Sequence, residues 1–355
     1  MKLTRITSGG KFIPEIDGLR FVAITSVVAF HIYQYLLDRT GMAPLGTLGI
    51  ALHNGQRGVP LFFVISGFIL GRPFAAHYLC GAPPPSLKEY YLRRLTRLEP
   101  PYIAAILLVF LGLAAFSSNR GIPHLLASLA YSHNLIYGFP NPFFGLAWSL
   151  EIEVQFYCLI PALALIFTAP RTVRRWFLFG CMFLGAFNLM MLPERIHLSI
   201  LGWFQCFAAG LLMSDLFTDG EQKRHWAFDV VSLVLWPSVF LVSDSVAWAL
   251  LPSIALALYI SAFRSILFKK LFSLPAVTII GGMCYSIYLV HFPMISAVGR
   301  LFGNRIVLVA ASIVSVAVAS LVFFVLVERP CMDKSWPAKL VHLFRGRSAI
   351  TGPAC

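Results

Sequence analysis

Apolar runs of membrane-crossing length, roughly 17–25 residues, recur along this 355-residue chain with short connections between them. Lipid offers no water to bond, so each run must satisfy its own peptide groups, as a helix does. About ten runs are read, at 19–37, 57–79, 100–116, 145–168, 176–192, 197–217, 227–242, 246–264, 277–299 and 304–327, with Pro237 and Ser238 interrupting the seventh. The chain is 58% hydrophobic and 12% charged, with a mean hydropathy of +0.79. No long polar stretch remains for a separate soluble domain. The expectation is an all-α, polytopic transmembrane helical bundle.

Lysine and arginine fix the expected orientation. Twenty-two lie in loops on the side of the N-terminus and six on the other, which places both termini in the cytoplasm. The same bias explains the net charge of +13, so nucleic acid is excluded as a partner; no soluble domain carries a basic face. Seven scattered cysteines without a CxxC pair suggest neither a disulfide framework nor a metal site. Without a small-residue cleavage site near the N-terminus, the first run should be retained as a span.

Against this background the ionisable residues inside the runs need a reason, because charge in a bilayer is costly. Arg20 and His31 share the first run. Eleven positions separate them, three helical turns, so both face one way at ~16 Å along the axis. Arg20 reads either as a cation that snorkels to the headgroups or as a functional group, and His31 as either a packing histidine or a functional one. Asp17 is placed to cap this helix. After the Pro83-Pro84-Pro85 breaker, Ser86 should cap a short interfacial helix carrying Arg93, Arg94 and Arg97. Its clustered guanidinium groups suit phosphate oxygens or anionic lipid.

Ser66 and Gly67 in the second run read as helix packing, since no nucleophile elbow surrounds Ser66. Glu151 and Glu153 enter the fourth run two residues apart, so they point about 200° apart and form no dyad. Glu153, the deeper, is the functional candidate. The ninth run holds Tyr288 one turn before His291, and Pro293 should kink it and free carbonyls for polar contacts.

Taken together, these motifs resemble the membrane-bound acyltransferase-3 family. They are Ile13-Pro14-Glu15-Ile16-Asp17-Gly18-Leu19-Arg20 with His31, Phe62-Phe63-Val64-Ile65-Ser66-Gly67-Phe68, Arg94 with Arg97, Trp148-Ser149-Leu150, Tyr285-Ser286-Ile287-Tyr288-Leu289-Val290-His291 and Val327-Glu328-Arg329-Pro330. They follow the family's order along nearly the whole chain. Val154 stands where the family commonly has a second glutamate, so Glu153 inherits that role alone.

The resemblance implies a ten-helix enzyme of the bacterial inner membrane. It would move an acyl group, often acetyl, from cytoplasmic acyl-CoA to a hydroxyl of a cell-envelope glycan or glycolipid, such as lipopolysaccharide O-antigen, exopolysaccharide or a lipid-linked sugar. No permanently bound cofactor and no metal are expected. By resemblance His31 is the catalytic histidine, and Arg20, Arg94 and Arg97 belong to the donor site. Glu153, Tyr288 and His291 would orient the base or the acceptor, and Ser66 is a further substrate-orienting candidate. Residues 1–342 are read as the membrane domain and 343–355 as a short cytoplasmic tail, without the extracellular hydrolase-like domain some members carry. Three other readings remain: acylation of a small molecule or lipid, a proton-coupled transporter or flippase with the histidines as relay groups, and a membrane protein without chemistry.

Overall fold

A computed structural model describes residues 12–41, 43–114, 121–191, 193–220, 223–243, 251–333 and 335–336. The tail expected at 343–355 lies outside them. Among the described residues every regular element is helical. The helices are α1 (Pro14–Thr40), α2 (Gly46–His53), α3 (Gly58–Cys80), α4 (Leu87–Ala114), α5 (Ile122–Leu129), α6 (His133–Tyr137), α7 (Ala147–Leu163) and α8 (Arg171–Met191). There follow α9 (Glu194–His197), α10 (Ile200–Asp219), α11 (Ala227–Leu241), α12 (Leu251–Tyr259), α13 (Leu267–Phe272), α14 (Pro275–Gly282), α15 (Cys284–Leu301), α16 (Arg305–Phe323) and α17 (Arg329–Cys331).

Six helical stretches among the described residues are long and apolar enough to cross a membrane: Pro14–Thr40, Gly46–Cys80, Leu87–Leu113, Ala147–Thr168, Arg195–Asp219 and Arg305–Cys331. The α14–α15 pair makes a seventh if its two parts count as one span. Three expected spans fall short of that test. The run at 176–192 lies in α8, whose first turns carry Arg171, Arg174 and Arg175. The run at 227–242 forms the 15-residue α11, with Pro237 and Ser238 inside the helix. The run at 246–264 begins outside the described residues.

The expected interfacial helix is not separate. It continues through Pro100 and Pro101 as the 28-residue α4, although proline normally breaks a helix by freeing the carbonyl four residues back. Here the Trp336 indole donates to the Thr96 carbonyl freed by Pro100 at 3.0 Å, and the Tyr285 hydroxyl donates to Leu98 O at 2.9 Å. The same device joins α4 to α7. Pro161 frees Tyr157 O, which accepts from the Tyr90 hydroxyl at 3.4 Å, while Tyr91 donates to Cys158 O at 3.2 Å. Ser86 does cap α4, its Oγ accepting from Glu89 N at 3.3 Å.

Two local expectations shift. Asp17 does not cap α1, which already begins at Pro14; it lies in the first turn and pairs with Arg20 at 2.8 Å. The ninth run bends by 69° between α14 and α15, at Met283, ten residues ahead of Pro293, which sits inside the unbroken α15.

The bundle is tied together where α3 crosses α10. A Cβ on Gly67 would collide with the Phe207 carbonyl, and one on Gly210 with Val64 O and Phe68 N. Close backbone approach of this kind is how helices associate in lipid, where burial adds little driving force. Beside the crossing, Phe207 stacks on Phe156 at 4.1 Å and packs on Phe63 at 5.0 Å. Elsewhere, Asp229 of α11 caps α13, accepting from Ile266, Leu267 and Phe268 N at 2.8–3.1 Å and satisfying donors that a helix start leaves open.

Candidate active site

Two cavities of about 390 Å³ each lie along one face of α1. The first contains Arg20 of α1, Ser66 of α3, Arg94, Arg97 and Glu99 of α4, Glu153 and Tyr157 of α7, and Glu328. The second contains His31 of α1, Gln56, Arg57, Trp148 of α7 and Trp203 of α10. Val59 and Tyr288 line both. The helical spacing of Arg20 and His31 is thus realised as one group per cavity, three turns apart on the same helix.

In the arginine cavity, Arg20 is steadied by Asp17. Arg94 rests on the rings of Tyr90 and Tyr157, 5.6 and 5.4 Å from their centroids. Its buried Nε has no hydrogen-bond partner. Ser66 donates to the Glu153 carboxylate. Ser66 therefore belongs to the cavity wall, and the close packing expected of the Ser66-Gly67 pair falls to Gly67. Glu151 points away, accepting from Asn134 N at 2.8 Å and holding α6 against α7. The two carboxylates diverge as their spacing requires.

In the histidine cavity, hydrogen-bond accounting fixes the ring nitrogens. His31 Nδ1 lies 2.9 Å from Val27 O; a carbonyl only accepts, so Nδ1 carries the hydrogen and Nε2 is left basic. His291 Nδ1 faces Ile287 O and Tyr288 O at 3.0 and 2.8 Å, so it too carries the hydrogen. His291 Nε2 is then an acceptor, 3.3 Å from His31 Nδ1. His291 is fully buried and lines neither cavity, so it touches the site through His31 and Tyr288.

Several wall residues carry no signal in the sequence at the level of single motifs. Glu99 sits beside the expected arginines, immediately before two prolines. Glu328 belongs to a quoted motif without an assigned role. A π-helical turn at Phe324–Glu328 brings it to the cavity, where it accepts from Ser286 N at 2.9 Å. Arg57 reads as an outer loop charge but is buried. It donates to Val239 O and Val242 O, both at 2.7 Å, and with Asn54, which donates to Phe240 O at 2.7 Å, it satisfies the open carbonyl end of α11.

These features define a polytopic helical membrane protein with an arginine-lined cavity that also holds three glutamates, adjoining a histidine cavity. The chain belongs to the acyltransferase-3 family, whose model, an acyltransferase domain, matches residues 13–329. It is similar to a provisionally named O-acetyltransferase of Staphylococcus aureus strain COL, 26% identical over 326 residues, covering 81% of this chain and 51% of that one. It is also similar to the O-acetyltransferase OatA of Staphylococcus aureus strain NCTC 8325, 24% identical over 372 residues, covering 92% and 58%. The chain spans just over half the length of these curated relatives. No solved structure matches it.

Proposed function

We propose that this chain moves an acyl group, acetyl, from acyl-CoA bound at the arginine cavity to a hydroxyl presented at the histidine cavity. The observation that carries the reading is the shared wall: the guanidinium cluster and the basic imidazole open from opposite ends onto Val59 and Tyr288. Arg20, Arg94 and Arg97 suit the phosphates of the donor, since guanidinium groups bind phosphate oxygens in bidentate fashion. The pantetheine arm then runs along α1 towards His31.

His31 Nε2 takes the acceptor proton as the hydroxyl oxygen attacks the thioester carbon. The C–O bond forms, the C–S bond breaks, and the proton passes from the imidazolium to the departing thiolate. His291 keeps the His31 ring in the tautomer this step needs. Glu153, with Ser66, and Tyr288 orient the reacting groups.

Ten spans in a bacterial inner membrane complete the reading, with both termini in the cytoplasm as the preference of lysine and arginine for one set of loops supports. A hydroxyl of a cell-envelope glycan or glycolipid is the acceptor class we propose, and acylation of a small molecule or lipid is the alternative. The test is the release of free CoA from radiolabelled acetyl-CoA by purified protein, with envelope glycan fractions as acceptors. His31→Ala should lower transfer about 10²–10⁴-fold at equal protein amount; an unchanged rate overturns the role of His31. Uptake of label into vesicles without CoA release overturns the enzyme in favour of a transporter.

A further inference from the structure

We propose that Tyr288 is the sill between the two cavities and that it limits the length of the acyl group that can be transferred. The inference rests on the donor reading above and adds a specificity residue to it. Tyr288 and Val59 line both cavities, so they stand where the arginine cavity and the histidine cavity adjoin.

The Tyr288 ring is held on every side that matters. It is buried, with 6% of its surface exposed. Its hydroxyl lies 2.9 Å from Leu146 O and 2.6 Å from Ser149 Oγ. The carbonyl can only accept, so the phenol hydrogen goes to Leu146 and the Ser149 hydroxyl donates to the phenol oxygen. Phe62 meets the ring edge-on at 6.5 Å, and His291 lies against it at 5.8 Å. Swinging the ring aside breaks two buried hydrogen bonds and disturbs the partner of His31. The ring is therefore fixed in place where the cavities meet, and there it blocks a chain longer than acetyl from seating its carbonyl within reach of the acceptor.

A rigid wall of this kind discriminates by about 10–200-fold per added methylene. The experiment is transfer by the full chain in nanodiscs from acetyl-, butyryl- and hexanoyl-CoA, with CoA affinity measured in parallel. The unmodified protein should favour acetyl over butyryl by at least about tenfold. Tyr288→Ala and, at the other shared residue, Val59→Ala should compress that ratio by about tenfold or more. Tyr288→Phe keeps the ring but removes the two hydrogen bonds that hold it, so it should lower the preference by less than Tyr288→Ala does. Val59→Ala removes little volume, so it carries the test even where Tyr288→Ala fails to accumulate. Transfer that retains the same chain-length ratio in the variants overturns the sill and leaves the donor reading standing. Failure of the unmodified protein to bind or cleave any acyl-CoA overturns that reading, and the sill with it.

Discussion

Arg174 and Arg175, at the start of α8, meet Asp215 of α10, and both also reach Asp219 at 3.2 and 3.1 Å. Arg94, in α4, lies against two tyrosine rings with its buried Nε unbonded and a cavity in front of it. Both clusters are arginine-rich and lie within a largely apolar chain, yet their valences are filled differently. In the first, carboxylates of a neighbouring helix match the charge, and the pairs serve to fasten α8 to α10. At Arg94, aromatic faces support the cation without consuming its donors, which leaves them open to the cavity. Counting the satisfied groups separates the two where counting charges does not.

The sharpest way to break this comparison is at Asp215. It is wholly buried, so Asp215→Ala leaves Arg174 and Arg175 to share the Asp219 carboxylate and should cost about 3 kcal/mol, the lower end for a broken buried pair. The expected result is loss of monodisperse protein from detergent extracts; a variant that accumulates and melts normally would show that the lock is dispensable.

Arg94→Ala should do the reverse. Losing hydrogen bonds to a charged ligand is worth about 1.5–3 kcal/mol, so acetyl-CoA affinity should fall about 10–100-fold while the melting temperature stays close to that of the unmodified protein. Unchanged affinity would place Arg94 with the structural arginines.

The smallest effect is expected in a histidine pair outside the spans. His133 is buried, with Nδ1 3.1 Å from Phe139 O and Nε2 2.9 Å from His124 Nδ1; the Tyr137 ring packs on both. Burial, then the neighbouring His124, holds the His133 imidazole below its ordinary range. The unfolded chain therefore takes up this proton at a higher pH than the folded one. The contribution is complete above pH of about 6.5 and is lost as the pH falls from there towards the lower folded value. Melting temperatures measured from pH 7.5 to 5 should decline, and His133→Asn should flatten that slope. Parallel curves for both proteins would remove the histidine pair from the account.

Much of the site is legible in the sequence because helical periodicity and the cost of buried charge act locally. Arg20 and His31 could be placed on one face of α1 from their spacing, and Glu151 and Glu153 on opposite faces of α7. Glu153 stands out as a carboxylate inside an apolar run and Arg94 as one of a cluster of guanidinium groups, whereas Ser66 reads as helix packing and its place in the cavity wall is not legible. What stays hidden depends on partners far along the chain. α4 runs through two prolines because Trp336 takes up a freed carbonyl, and nothing near Pro100 foretells that. Arg57 is buried because it terminates α11, some 180 residues later. Glu99 and Glu328 reach the cavity only through packing and a π-helical turn. Pairing of α8 with α10 likewise needs the fold, although Asp215 and Asp219, four apart on one helical face, offer a hint.

The indole of Trp336 has a consequence for the order in which the protein matures. A chain emerges from the ribosome N-terminus first, so Arg20, Arg94 and Arg97 are made early, in the first hundred residues. Three groups that complete their cavity or secure its wall, Tyr285, Glu328 and Trp336, are made last. A nascent chain can therefore carry the whole arginine cluster while its cavity is still unfinished. The cavity is complete, and its wall secured, only once synthesis has passed residue 336.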